Sequence, residues 1–171
     1  MRRRLGLTAL FGFVLLAMAL DLYLARGNVP FRTIAAGEAW AFSSDQSAAA
    51  LIVIPDYPRA AVEVDRLRLP DDIAQRILAI DYADEFVLYV YLGQQPVDDR
   101  INVKRVDRRG NTLVVSAEAM KPARGFIVRQ ALVNVYVLLE VAKAADLTGE
   151  VDFELSYNSV VVATSSAVFS P

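Results

Sequence analysis

Residues 85–92, Glu85-Phe86-Val87-Leu88-Tyr89-Val90-Tyr91-Leu92, follow a period of two in which both halves of the alternation are apolar. A strand with one face in water reads polar at every second residue, whereas a strand covered on both faces does not. The stretch is therefore expected to run through the middle of a sheet that is packed on both sides. Tyr89 and Tyr91 are expected to fill a second packed layer rather than to form an open binding face. Gly93-Gln94-Gln95-Pro96 is expected to end the strand.

Outward from that stretch the same period recurs. Residues 101–106 and 112–119 read as two strands joined by a turn at Arg108-Arg109-Gly110-Asn111. Arg105 shares the parity of Ile101 and Val103, which predicts a bulge, an early strand end or a solvated face there. Residues 126–129 are expected to be extended. Val135, Val137, Leu139 and Val141 line one side of a further strand. Val151, Phe153, Leu155 and Tyr157 alternate with Asp152, Glu154 and Ser156, the pattern of a half-buried antiparallel strand. Residues 160–169 close the series, and residues 50–54 open it. Residues 61–69 read as a strand of imperfect alternation. One helix is expected after Leu69-Pro70-Asp71-Asp72: proline suits a first turn, acids favour its positive end, and Ile73, Ile77 and Ile80 recur at helical spacing. The expected fold is mainly β, an antiparallel β-sandwich or partly open barrel with one short packed helix.

Before this domain stand three arginines, Arg2 to Arg4, and an apolar run over residues 5–20. They match the charged and apolar regions of a secretory signal, and Ala17-Met18-Ala19 offers the small residues at a cleavage site. The apolar pattern resumes after Asp21, so residues 5–25 also approach the ~20 residues that span a bilayer. Residues 1–25 are read as a signal peptide or a signal-anchor helix. Residues 26–49 are then an irregular connecting segment, and residues 50–171 a single β-rich extracytoplasmic domain. The expected location is the cell envelope, either anchored to the membrane with the β-domain outside the cytoplasm or secreted. Removing residues 1–19 takes away three positive charges and no negative ones, moving the formal charge from −2 to −5. Such a body is a poor general binder of nucleic acid.

The composition also limits the chemistry. The chain holds neither cysteine nor histidine, so a Ser-His-Asp triad, a thiol nucleophile and histidine- or thiolate-based zinc sites are excluded. No disulfide stabilises the fold. Carboxylates remain, in Asp71 with Asp72, in Asp81, Asp84 and Glu85, and in Asp98 with Asp99. These lie at turns and a helix start, where acids occur for structural reasons. No enzyme activity, catalytic residue, cofactor or metal is expected. A carboxylate-dependent hydrolase using Asp81, Asp84, Glu85, Asp98 and Asp99 is the minor alternative. The basic run Arg100, Lys104, Arg105, Arg108 and Arg109 is interleaved with Asp98, Asp99 and Asp107, which favours a solvated hairpin. The candidate interaction loops carry Gly93, Gln94, Gln95, Arg100, Arg108, Arg109, Lys121 and Arg124.

The stretch over residues 80–94, with its acidic lead-in and its strand ending at Gly93, is followed by Asn111-Thr112-Leu113-Val114-Val115 and by the tyrosine-containing strand Val135-Tyr136-Val137-Leu138-Leu139-Glu140-Val141. Together these resemble the C-terminal domain of the PrcB family of protease-complex subunits. Val97-Asp98-Asp99-Arg100-Ile101 stands where that family carries a Gly-Gly-aromatic stretch, and Val135 replaces its proline. The resemblance implies a non-enzymatic accessory domain that assembles with an exported protease. The partners expected are another protein, such as that protease, and the membrane if the leader is retained. The alternative is a small β-sandwich protease inhibitor or a ligand-binding module of the cell envelope.

Overall fold

The computed structural model of the chain describes residues 27–38, 48–96, 100–120 and 132–170. The expected leader, the extended segment at 126–129, Asp98, Asp99, Lys121 and Arg124 lie outside them. No helix among the described residues is long and apolar enough to cross a membrane.

Two four-stranded sheets form the body. In the first, β1 (Phe31–Glu38), β6 (Leu132–Ala142), β3 (Glu85–Pro96) and β2 (Ala50–Ile54) lie in that order, all antiparallel. In the second the order is β4 (Arg100–Arg109), β5 (Thr112–Met120), β7 (Gly149–Tyr157) and β8 (Val160–Phe169). The strand read as central is flanked by β2 and β6. Phe86, Leu88 and Val90 point toward the second sheet and meet Val115, Phe153 and Phe169 in the larger core. Phe86 meets Phe153 and Phe169 edge-on, at centroid distances of 5.9 and 5.2 Å. Val87, Tyr89 and Tyr91 point the opposite way into a second core, and both tyrosines are buried, as expected.

That second core lies under two helices, where the sequence reading expected one. α1 (Tyr57–Arg66) occupies part of the segment read as a strand. The alternation of Val62 and Val64 suggested a period of two, but the buried positions are Ala60, Glu63, Val64 and Leu67, a helical stripe. Asp56 Oδ1 accepts a hydrogen bond from Arg59 N at 2.8 Å, and Pro58 occupies the first turn, so this proline starts a helix rather than only ending a strand. α2 (Asp71–Leu78) is the expected helix, with Asp71 and Asp72 in its first turn and Ile77 fully buried. The layers are thus helices, first sheet, second sheet.

Three further departures concern the strands. Phe31–Glu38, within the segment expected to be irregular, forms β1 against β6. Its alternation is weak, because only Ile34 of the eight residues is buried. The second sheet is mixed, since β5 and β7 run parallel, from Thr112 opposite Asp152 to Ala117 opposite Tyr157. Turn chemistry marks hairpins, but it carries no sign of a parallel pair made over a long connection. The sheets do not close into a barrel. At one end the chain links them: Val29 N donates to Val106 O at 2.7 Å in the second sheet, and Ala142 N donates to Pro30 O at 2.9 Å in the first.

Candidate interaction surface

The outer face of the second sheet is set by strand parity. With Ile101, Val106, Leu113, Val115, Val151, Phe153 and Leu155 facing the core, their neighbours face outward. The expected irregularity beside Arg105 is present as a register shift between Val103 and Arg105. It turns Arg105 outward, opposite Ser116, and returns Val106 to the core.

Charge is graded across this face. β4 carries Arg100, Lys104, Arg105 and Arg109 with Asp107 among them; β5 carries Glu118; β7 carries Glu150, Asp152 and Glu154; β8 carries none. A shallow depression of about 560 Å³ separates Lys104, Arg105 and Arg109 from Glu154. Lys104 Nζ lies 2.5 Å from Glu118 Oε2, and Arg105 Nε lies 2.7 Å from Asp107 Oδ2. Glu118 is held below the ordinary carboxylate range, first by hydrogen bonding to Lys104 and then to Asn102. Two of the basic side chains, Lys104 and Arg105, are therefore paired within the hairpin, the second of them with the interleaved Asp107.

β8 is one edge of the second sheet, with β4 as the other, and is hydrogen-bonded only to β7 among the described residues. Val160, Val161, Val162 and Val168 are all exposed, Val160 at 63% and Val168 at 67%. No charged residue follows Glu154 in the sequence. Edges of natural sheets are commonly blunted by lysine, proline or inward charges, and this edge carries none of them within the strand. Asn158 and Ser159, both with positive φ (49° and 69°), make the tight turn that leads into it. β8 approaches β2, and a cleft of about 360 Å³ lies between them, lined on the β8 side by Ser165 to Val168 and bordered by Arg59 and Arg66 of α1.

The residues singled out from sequence do not converge. Gly93 is not in a loop: β3 continues to Pro96, with a register shift between Tyr91 and Gln94 and Gly93 at φ 77°. Gln94 is exposed, while Gln95 is half-buried and donates from Nε2 to Leu92 O at 2.9 Å. Arg100 begins β4 at that end of the sandwich, beside a depression lined by Gly37, Glu38 and Tyr136. Arg108 and Arg109 end the same strand, about 30 Å away at ~3.3 Å per residue. Arg108 is engaged, with Nη1 2.6 Å from Asp146 Oδ1 and Nε donating to Gly110 O at 3.1 Å. Among the described residues Arg109 makes no ion pair.

One carboxyl pair escaped the sequence reading. Glu140 on β6 is buried at 4% exposure, ion-paired with Arg32 of β1. Glu85 hydrogen-bonds with it, and burial first and that bond second raise Glu85 above the ordinary carboxylate range. Tyr82 nearby donates to Ile77 O at 3.2 Å, and its hydroxyl is also shifted upward, chiefly by burial. In the sequence Glu85 stands with Asp81 and Asp84. Asp81 instead accepts from Ala83 N at 3.0 Å within its own turn. The only sequence signal for the pair is a glutamate inside an otherwise apolar strand, Leu139-Glu140-Val141. No set of three or more potential ligating residues among those described could hold a metal ion.

No protein-family model, no curated protein and no solved structure matches this chain.

Proposed function

We propose that this chain is a non-enzymatic protein-interaction domain of the cell envelope, acting as an accessory subunit of an exported protease assembly. The observation that carries the interaction role is β8, a ten-residue edge strand with four exposed valines and no charge. An open edge of this kind offers unpaired backbone groups to an incoming strand, and its side chains supply apolar cover. The protease partner and the extracytoplasmic location rest on the likeness of residues 80–141 to the PrcB pattern and on the arginine-led apolar leader.

The test is isolation of the tagged full chain from its native membranes under gentle extraction, with the masses of bait and prey read together. Co-purification of a protease whose activity rises on adding the chain supports the reading. A fall in activity on mixing would instead favour an inhibitor. Repeated isolation without any protease would overturn the accessory role.

A further inference from the structure

Residues 162–168 of β8 read Val162-Ala163-Thr164-Ser165-Ser166-Ala167-Val168. About Ser165 the sequence is nearly its own reverse: alanine mirrors alanine, valine mirrors valine, and threonine mirrors serine. Antiparallel pairing of two such strands across a two-fold axis at Ser165 sets Thr164 opposite Ser166, Ala163 opposite Ala167 and Val162 opposite Val168. Thr164, Ser166, Val162 and Val168 are exposed, whereas Ala163, Ser165 and Ala167 are half-buried toward the core. Like side chains would therefore meet on each face.

We propose that β8 pairs with β8 of a second copy, joining two second sheets into one eight-stranded sheet. A two-fold contact requires a self-complementary surface, and this strand has one. Hydroxyl pairs at 164 and 166 belong to the favourable cross-strand combinations. Charge does not oppose this occupant, since Arg59 and Arg66 at the neighbouring cleft are ion-paired with Glu63. The strand has no charge with which to choose a charged partner and none to repel its own copy. The acidic row Glu150, Asp152 and Glu154 lies on β7, so in the dimer the two rows stand three strand spacings apart, about 14 Å. That exceeds the ~8 Å Debye length at physiological ionic strength. The register shift between Leu155 and Ser156 places the β8 irregularity at Val162, leaving residues 163–167 regular. The basic β4 strands then form the two far edges of the joined sheet, open to a further partner. This proposal rests on the reading above only in taking β8 as a contact edge.

The absence of native cysteine permits a clean test. Full-length T164C and S166C chains carrying different tags are mixed and mildly oxidised. The register predicts a mixed 164–166 disulfide at least about tenfold more abundant than either homodisulfide, because equivalent residues lie on a diagonal too long to bridge. In sedimentation of the full chain in detergent, T164K/S166K should weaken dimerisation about tenfold or more through opposed like charges, and T164K/S166E should restore it. Both sites are exposed, and circular dichroism of each variant verifies that it folds. A monomeric full chain, a dimer indifferent to T164K/S166K, or mixed and like disulfides in equal yield would each overturn the proposal. A photoreactive group at Thr164 that reached the co-purifying protease and not a second copy would also overturn it while leaving the accessory role intact. Self-linking without any protease would sustain the pairing and remove that role.

Discussion

Glu85 and Glu140 sit on neighbouring strands, with Val87 opposite Glu140 and Glu85 opposite Ala142. Glu140 is ion-paired with Arg32, and Glu85 is pushed upward by burial first, then by Glu140 and Asp81, against the opposing pull of Arg32. A carboxyl whose folded pKa is raised contributes stability that is present in full below its unfolded value and lost as pH rises through the folded value. Glu85→Gln keeps a hydrogen-bond donor toward Glu140 at every pH. The variant should therefore melt above the parent at pH 7, with the difference closing below about pH 4, the ordinary glutamate range. Thermal melts of both proteins from pH 3 to 8 measure this. A pH-independent gap, or a lower melting temperature for the variant at pH 7, would show that the pair does not share a proton.

Among the elements, the β7–β8 hairpin turns on Asn158 and Ser159, both in the left-handed region. Tyr157 faces Val160, so the loop has two residues and the twist of a type I′ turn. Asparagine tolerates that conformation, but serine carries a Cβ penalty of roughly 1–2 kcal/mol that glycine avoids. Ser159→Gly should stabilise the domain by about 1 kcal/mol after the larger backbone entropy of glycine is counted, read as a shift in urea midpoint at constant slope. The β4–β5 hairpin has Gly110, at φ 61°, in the first position of its own two-residue turn, the place that Asn158 takes in this one. Elements of this kind were legible in the sequence. The doubly apolar β3, the irregularity at Arg105 and the alternation of β7 each follow from a period of two broken at a definite residue. α1 was not legible, because β-branched Val62 and Val64 mimic a strand over the few residues that separate Pro58 from Leu67. β1 was hidden for the opposite reason: an edge strand with one buried side chain has no pattern to read. The candidate loop residues lie apart because composition marks a segment as polar without marking which end of a strand it reaches; Arg100 and Arg109 share β4 yet stand at its opposite ends. β8 was placed as a strand, but its position at an edge is a property of the other seven.

At the scale of the whole molecule, the first sheet belongs to two cores at once. Leu88 and Val90 pack toward the second sheet, while Val87, Tyr89 and Tyr91 alternate with them and pack beneath the helices. Tyr89 stacks on Tyr136 at 5.1 Å, and Tyr91 donates to Asn134 Oδ1 at 2.8 Å, both pairs crossing from β3 to β6. The helical layer cannot lose its packing without exposing one face of the strands that hold the other core together. Small domains whose cores are linked in this way unfold as a unit. A chain beginning at Gly27 should accordingly show one urea transition. The tyrosine near-ultraviolet signal, dominated by the helical side, should coincide with the far-ultraviolet strand signal. A tyrosine transition at lower urea would mean that α1 and α2 detach first and that the two sheets are a stable body without them. Coincidence would assign the helices to the cooperative core, and the outer face of the second sheet, with its open β8 edge, would be the surface left free for association.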